Sequence, residues 1–360
     1  MPKRWCEYWE IGESWTGKRR SMRATVVIRS KDEADRLRLT LTSLAVQTER
    51  PEVVVVNDGS SDHTAEVMAE AARDMELVAV HHTSPAGRSA AANAGALKAT
   101  GDILLFLDGD TLAAPELVAR HLEVHRQSAN LVVRGEHWHL RCVNAFLNPE
   151  TGNPREGEES RVARMSTAER ARAIVTRTQV RHDFAAIESR AQPGIYPGFG
   201  PRRLGELEMH ALQTAPDCKV LWAAAGGSNQ SVNRNGFLQT GGFHPKLSIN
   251  EHRELALRLC QRGFRMAPTS ARTFHLIHRR GWRDPLQDTD WEQTFYEAHP
   301  LPEVALLPFF WASLSEACPF PPAACIRSLP ELAAISDEYR ALKGMKSVRE
   351  AHLLASVRDR

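Results

Sequence analysis

The sequence predicts an α/β protein built on a mostly parallel sheet flanked by helices. Two observations carry that prediction. From residue 24 onward, short apolar, β-branched runs alternate with longer segments of helical spacing. Such strand–helix alternation calls for right-handed crossovers, which place helices on both faces of a parallel sheet. In sheets of this kind the ligand sits at the carboxyl ends of the strands. Three aspartates, Asp58, Asp108 and Asp110, fall at two such ends.

The elements follow in order. "ATVVI" (24–28) reads as a buried strand. "DEADRLRLTLTSLAVQT" then spaces Leu37, Leu39, Leu41 and Leu44 as a helix with charges on its other face. "EVVVVNDGSSDHT" repeats the pattern, with four valines, a turn cluster and the helix "AEVMAEAARDM". Ser61 or Asp62 is the expected cap of that helix. "LVAVHHT" is a third strand, "GRSAAANAGALKAT" a helix of small residues and "DILLFLD" a fourth strand.

The middle is less regular. Residues 148–173 read as a loop and then a helix near Ser166, whose hydroxyl can cap together with Glu169. Residues 191–203, rich in glycine and proline, read as a loop. "KVLWAAAGGSNQSVNR" (219–234) reads as a strand running into a glycine turn. "EHRELALRLCQRGFRM" reads as a helix with Leu255, Leu259 and Cys260 on one side, ended by Gly263. "VALLPFFWASLS" (304–315) is too short to span a bilayer and reads as a buried or partner-facing helix. The chain beyond about residue 285 reads as helical.

Composition sets the outer limits. The chain has 360 residues, of which 42% are hydrophobic and 25% charged, so it is globular rather than disordered. Its formal net charge of +2 does not steer it to nucleic acid. Residues 1–21 form a basic, tryptophan-bearing arm, read as a flexible terminus or a lid that packs its aromatics on the body rather than as a nucleic-acid or membrane-surface arm. Six scattered cysteines without a CxxC pair argue against a structural zinc site or a disulfide scaffold, and fit a cytoplasmic protein. No signal-like apolar run begins the chain, and peripheral membrane contact is the only membrane role left open.

The chemistry-bearing residues each have a plain alternative. Asp58 can accept from a base or a ribose, or can serve a capping turn. Arg88 can pair with a phosphate or be a solvated arginine. Asp108 and Asp110, at i and i+2 of an extended segment, can approach one cation together. Mg²⁺ or Mn²⁺ takes such oxygen ligands and neutralises a leaving diphosphate. Glu251 and His252 open a late helix, where acids suit the helix dipole and a carboxylate can act as a general base. His275 and His278 lie in a strand-like segment, which sends an i, i+3 pair to opposite sides, so only one is expected to reach the site.

Taken in order, "ATVVIRSKDEADRLRLTLTSLAVQT", "VVVVNDGSSDHT", "GRSAAANAGALKATGDILLFLDGDT" and "SNQSVNRNGFLQTGGFH" resemble the family 2 glycosyltransferases over roughly residues 22–280. The resemblance implies a GT-A, Rossmann-like fold in residues 22–285, with a nucleotide-binding half (22–112), an insertion on the acceptor side (145–215) and an acceptor-side half (216–285). A helical extension (286–360) follows. It implies a nucleoside-diphosphate sugar donor, with a UDP-sugar first in line, a divalent Mn²⁺ or Mg²⁺ and transfer with inversion. Asp58 would contact the base and ribose, Asp108 the sugar-nucleotide side of a DxD motif, and Asp110 with His275 or His278 the metal. Gly241 and Gly242 would line the sugar pocket.

Three departures stand out. The first strand ends in Arg29-Ser30-Lys31-Asp32 where the family usually has a Pro-Thr-Tyr-Asn-like turn. Asn57 precedes Asp58 where a second aspartate is usual, and Glu251-His252 stands where the family often has Glu-Asp. Two other functions remain to be weighed. A nucleotidyltransferase would show a glycine-rich loop after the first strand, and "RSKDEADR" has none. A nucleotide-sugar-binding protein without turnover would tolerate the altered acidic helix. The arginines of the insertion (Arg161, Arg164, Arg170, Arg172, Arg177 and Arg181) fit an acidic acceptor or a solvated helix face.

Overall fold

The computed structural model describes residues 22–193, 204–278, 288–313 and 318–358. The arm at 1–21, most of the glycine-rich loop and the "RRGW" residues after His278 lie outside them.

The first half alternates as the sequence predicts. It runs β1 (Ala24–Ser30), α1 (Ala34–Ala45), β2 (Glu52–Asp58), α2 (Thr64–Ala71), β3 (Leu77–His82), α3 (Arg88–Lys98), β4 (Ile103–Asp108), β5 (Thr111–Ala113), α4 (Leu117–His125) and β6 (Leu131–Leu140). The middle holds β7 (Phe146–Asn148), β8 (Asn153–Pro154), α5 (Glu159–Ala163), α6 (Thr167–Ala173), α7 (Arg177–His182), α8 (Phe184–Glu188) and β9 (Gln192–Pro193). The chain continues with α9 (Leu204–Thr214), β10 (Gln230–Asn233), α10 (Arg234–Gln239), α11 (Glu251–Gln261), β11 (Arg265–Leu276), α12 (Asp290–Ala298), α13 (Pro302–Ala312), α14 (Leu329–Glu338) and α15 (Met345–Arg358).

The main sheet has the order β3-β2-β1-β4-β10-β6-β11-β5, with β9 added to β6. Parallel pairing joins β3, β2, β1 and β4, the four strands legible in the sequence. Beyond β4 the sheet is mixed. β10 runs antiparallel to both its neighbours, β11 is parallel to β6, and β5 is antiparallel to β11. Alternate residues of each strand supply two cores. Val27, Val54, Leu104 and Phe106 face a large cluster that also contains Trp222, Leu255 and residues of α13. Val26, Ile28, Val55 and Leu105 face a second cluster with residues of α1, α2 and α4.

One expectation needs correction, and one open choice is settled. "KVLWAA" is not a strand: Leu221–Ala224 form a 3₁₀ turn, and the strand is Gln230–Asn233. Val220, Trp222 and the following alanines are buried against α9 and α11, and a short apolar run is buried in either conformation. The start of α2 is set by Asp62, whose Oδ1 accepts from the Thr64 amide and hydroxyl while Oδ2 accepts from the Ala34 amide. One carboxylate thus serves the starts of two helices.

Ser166 and Glu169 form the expected capping box on α6. The segment around it has its own core of Val143, Phe146, Val162 and Ile187, continuous with Leu39, Phe274 and Leu276 of the main body. Its arginines mostly serve as ties. Arg161 pairs with Glu158, Arg177 with Glu150 and Glu70, and Arg181 with Asp74, while Arg170 donates to the Thr151 and Gly152 carbonyls. α13 is buried along its whole length and packs on α14 and α15. Among the described residues no helix is long and apolar enough to cross a membrane.

Candidate functional site

The site lies where β1 and β4 end side by side. Arg29 and Asp108 are register partners in that parallel pair, so their side chains emerge together. Arg29 Nε donates to Asp108 Oδ1 at 3.0 Å, and Nη1 donates to Glu251 Oε1 at 2.9 Å. The third nitrogen, Nη2, is buried and has no hydrogen-bond partner among the described residues. Burial works against the charge on Arg29, but Asp108 and then Glu251 raise its pKa further. Arg88, at the start of α3, is more exposed and reaches the same carboxylates, 3.4 Å from Asp108 Oδ1 and 3.9 Å from Glu251 Oε1. Two guanidinium groups therefore face two carboxylates.

Asp110 points to a different set of partners. His275 Nε2 lies 3.1 Å and His278 Nε2 2.7 Å from the same oxygen, Asp110 Oδ2. The backbone explains the approach. β5 pairs with β11, setting Thr111 beside His275, and the Leu276 amide donates to the Asp110 carbonyl at 2.8 Å. Arg36 then fixes the end of β11 from α1, donating to the carbonyls of Leu276, Phe146 and Leu147. Both histidines reach Asp110, whereas one was expected. β11 ends at Leu276, so the strand alternation that would turn His278 away no longer applies.

Burial opposes a charge on Asp110, but His275 and then His278 hold its carboxyl well below the usual range. Burial likewise opposes a charge on His275, and Asp110 raises its pKa. Asp110, His275 and His278 offer one oxygen and two nitrogens within 4.8 Å of one another, close enough to hold a metal ion. Asp108 is not in this group; its carboxylate is taken by the two arginines.

A fourth carboxyl sits beneath the pair. A Cβ on Gly109 would lie 2.4 Å from Glu33 Oε1 and 2.8 Å from Ser30 Oγ, so any larger residue between the aspartates would have to displace both side chains. Burial, and then the nearby Asp110, push the Glu33 carboxyl well above its usual range.

The remaining expected residues are placed as follows. Asp58 accepts from the Ala86 and Gly87 amides at 2.8 and 3.0 Å and lies 2.7 Å from His82 Nδ1. It therefore fixes the loop that leads to Arg88. Gly241 and Gly242 adopt φ of +87° and +71°. Asn93 of α3 bonds both main-chain groups of Phe243, and a Cβ on Gly242 would lie 2.5 Å from its Oδ1. The structure ties this turn to α3 and to Arg258 of α11 rather than to the carboxylate pair. Glu251 is buried, and despite that burial Arg29 and then His252 depress its carboxyl far below the usual range. His252 Nε2 accepts from Arg253 at 2.9 Å, and burial lowers its pKa to about 4. That tautomer turns Nδ1–H toward Glu251 Oε2, 3.8 Å away.

Sequence reasoning missed Arg29, Glu33, Arg36, His137 and His139. Arg29 was visible only as a departure from a turn. The His137-x-His139 spacing in an extended run was the available signal for the last two.

Residues 25–187 match the model of "Glycosyl transferase family 2". This part of the chain is similar to the family 2 glycosyltransferases. An uncharacterized glycosyltransferase of Bacillus subtilis is 37% identical over 119 residues, which is 32% of this chain and 30% of the relative. A poly-β-1,6-N-acetyl-D-glucosamine synthase of Staphylococcus aureus is 33% identical over 89 residues, covering 24% of this chain and 22% of the relative. The chain thus spans less than a third of the length of either curated relative. The crystal structure of GalNAc-T7 with UDP, GalNAc and Mn²⁺ superposes with a TM-score of 0.51 at 19% identity, over 91% of this chain and 56% of that one. The fold is therefore GT-A.

Proposed function

We propose that this protein transfers a sugar from a nucleoside-diphosphate sugar to an acceptor nucleophile, with inversion. The observation that carries the reading is the division of the site at the strand ends: Asp110, His275 and His278 converge on one side, and a buried Arg29 nitrogen without a partner stands on the other. The first set fits a divalent cation, and the second fits an anion. A nucleoside diphosphate is the ligand that needs both. UDP is the first choice of nucleotide, since the fold neighbour GalNAc-T7 was crystallised with UDP, GalNAc and Mn²⁺.

One carboxylate and two imidazoles favour Mn²⁺ over Mg²⁺, which prefers oxygen ligands and keeps its waters. The bound ion would neutralise charge on the leaving diphosphate. Arg29 and Arg88 would bond its oxygens, with Asp108 and Glu251 holding them in place until it arrives. Asp58 would meet the base or ribose from the loop it fixes, and the Gly241-Gly242 turn would border the sugar. Glu251 is the proposed general base. His252 already spends its Nε2 lone pair on Arg253, whereas among the described residues Glu251 Oε2 has no partner nearer than 3.8 Å. A diphosphate that draws the arginines toward itself would raise the depressed pKa of Glu251 toward the operating range. The thiols of Cys142, Cys218 and Cys260 are free, in keeping with a cytoplasmic site of action.

The test is the thermal stability of the purified protein against nucleoside diphosphates and their sugars, with and without Mn²⁺. A ligand of the folded state stabilises by about 2.7 kcal/mol at a hundredfold over its dissociation constant. We expect a shift that needs metal and one nucleotide together and is lost in Asp110→Asn. A shift of the same size in Asp110→Asn would remove the metal assignment. Hydrolysis of the bound donor without acceptor separates an enzyme from a binding protein.

A further inference from the structure

His137, His139 and His275 form a cluster that the proposed transfer does not use as a unit. β6 carries His137 and His139 on one face, since alternate strand residues share a side. β11 runs parallel beside it, and His275 is the register partner of His139. The three ring centroids lie 5.3, 5.5 and 5.9 Å apart. One nitrogen from each ring lies within 4.8 Å of the others.

Two further observations point to a ligand. His139 is 5% exposed, and its Nδ1 has no hydrogen-bond partner among the described residues. A buried imidazole nitrogen without a partner is unfavourable unless something occupies it. His137 is oriented by Thr273, whose hydroxyl lies 2.9 Å from Nδ1 and 3.4 Å from the Glu136 carbonyl. With that hydroxyl donating to the carbonyl, its oxygen accepts from His137 Nδ1–H. This leaves the Nε2 lone pair of His137 free, as in histidines that bind metals through one nitrogen and are steered by the other. Burial lowers the pKa of both rings; against it Asp110 favours positive charge at both and Asp108 at His137, while Arg134 opposes it at His137 and Arg141 at His139.

We propose that His137, His139 and His275 hold a second divalent cation of the Zn²⁺ class, in a nitrogen-only site that shares His275 with the Asp110 set. Three imidazoles suit a borderline transition metal and do not suit Mg²⁺ or Ca²⁺. In a tetrahedral zinc site the nitrogens stand about 3.4 Å apart, so these need to close by no more than about 1.5 Å. A fourth position stays open for water. Because His275 Nε2 also contacts Asp110, zinc here would withdraw a donor from the other site. Zn²⁺ would then antagonise the Mn²⁺-dependent binding of a nucleoside diphosphate. This last consequence rests on the proposed donor site; zinc binding itself does not.

The experiment uses the untagged, metal-free full chain in competition with a chromogenic chelator for Zn²⁺. We expect one tight equivalent in the wild type and in Asp110→Asn. His139→Gln and His137→Gln should each weaken it at least about tenfold. No zinc uptake by the wild type overturns the proposal, as does unchanged affinity in the His137→Gln, His139→Gln double variant. Loss of zinc in Asp110→Asn also overturns it, since the ion would then belong to the Asp110 set. Should the histidine variants fail to fold, Co²⁺ bound to the wild type and to Asp110→Asn decides the matter. Intense visible bands of a four-coordinate ion in both proteins support the site, and weak bands of a six-coordinate ion overturn it. None of these readings needs a donor or turnover, so failure here leaves the proposed transfer standing.

Discussion

The parallel strands have two ends, and their polar groups are treated in opposite ways. At the amino ends of β1, β2 and β4, carboxylates and hydroxyls of the chain meet the main-chain donors. Glu52 accepts from the Thr100 amide at 2.8 Å, from the Thr100 hydroxyl at 2.9 Å and from the Thr25 hydroxyl. The Gly101 amide donates to the Thr25 hydroxyl in turn, and the Arg23 amide donates to Asp102. At the carboxyl ends of the same strands, like charges crowd and partners are missing. Arg29 keeps a buried nitrogen without a partner, Glu33 is pressed toward Asp110, and one oxygen of Asp110 faces two histidines. Substitution at the satisfied end should therefore lower stability, whereas substitution at the crowded end should change ligand binding or turnover at little loss of stability.

The largest expected effect is on turnover. Glu251→Gln keeps the shape of the side chain and removes the proposed base, so transfer should slow by about 10²- to 10⁴-fold. Donor binding, read from the Mn²⁺-dependent thermal shift, should remain. Full-rate transfer by this variant would take the proton-accepting role away from Glu251.

Next in size is Glu52→Gln at the opposite end. It turns an acceptor of three hydrogen bonds into an amide that presents N–H groups to donors, so unfolding free energy should fall by about 1–3 kcal/mol. Burial opposes the charge on Glu52, but the Thr100 amide and then the Thr25 and Thr100 hydroxyls hold its carboxyl below the ordinary value of 4.5. The sign follows from linkage. A depressed carboxyl contributes stability that is fully present above its unfolded pKa and is lost as pH falls through the folded one. The gap between wild type and variant should therefore be constant above about pH 5 and narrow below it. Urea melts across pH 3–7 check this, and a gap that widens toward acid would contradict it.

The legibility of the sequence follows the same division. The first four strands could be read because each is a local run of β-branched residues that ends in turn residues. The Asp108–Asp110 pair stood out because a buried strand rarely runs into two carboxylates. What could not be read depends on pairing across long stretches of chain. β6 meets β11 more than a hundred residues later, and only that pairing brings His137 and His139 to His275. Arg36 looked like a charged residue on the outer face of a helix, yet it is buried and clamps the end of β11. Glu33 looked like an acid at a helix start. Its position under Gly109 comes from the β1–α1 turn packing on the end of β4, which no local pattern encodes.

The smallest effect is the sharpest test of the comparison. Glu33→Gln removes a carboxyl that burial and the adjacent Asp110 disfavour as an anion. At the amino ends an acid-to-amide change breaks satisfied hydrogen bonds. Here it removes a carboxyl that is costly to ionise and preserves side-chain volume. Stability in the metal-free protein should hold or rise, by about 1 kcal/mol at most, as is common where a site is kept at the expense of stability. Mn²⁺ affinity should fall, because a cation held by Asp110 favours the ionised form of Glu33, and glutamine cannot supply that charge. Paired measurement of melting and Mn²⁺ titration distinguishes the cases. A variant that melts well below the wild type would show that Glu33 is a structural acid like Glu52, and the contrast between the two strand ends would no longer hold at this residue.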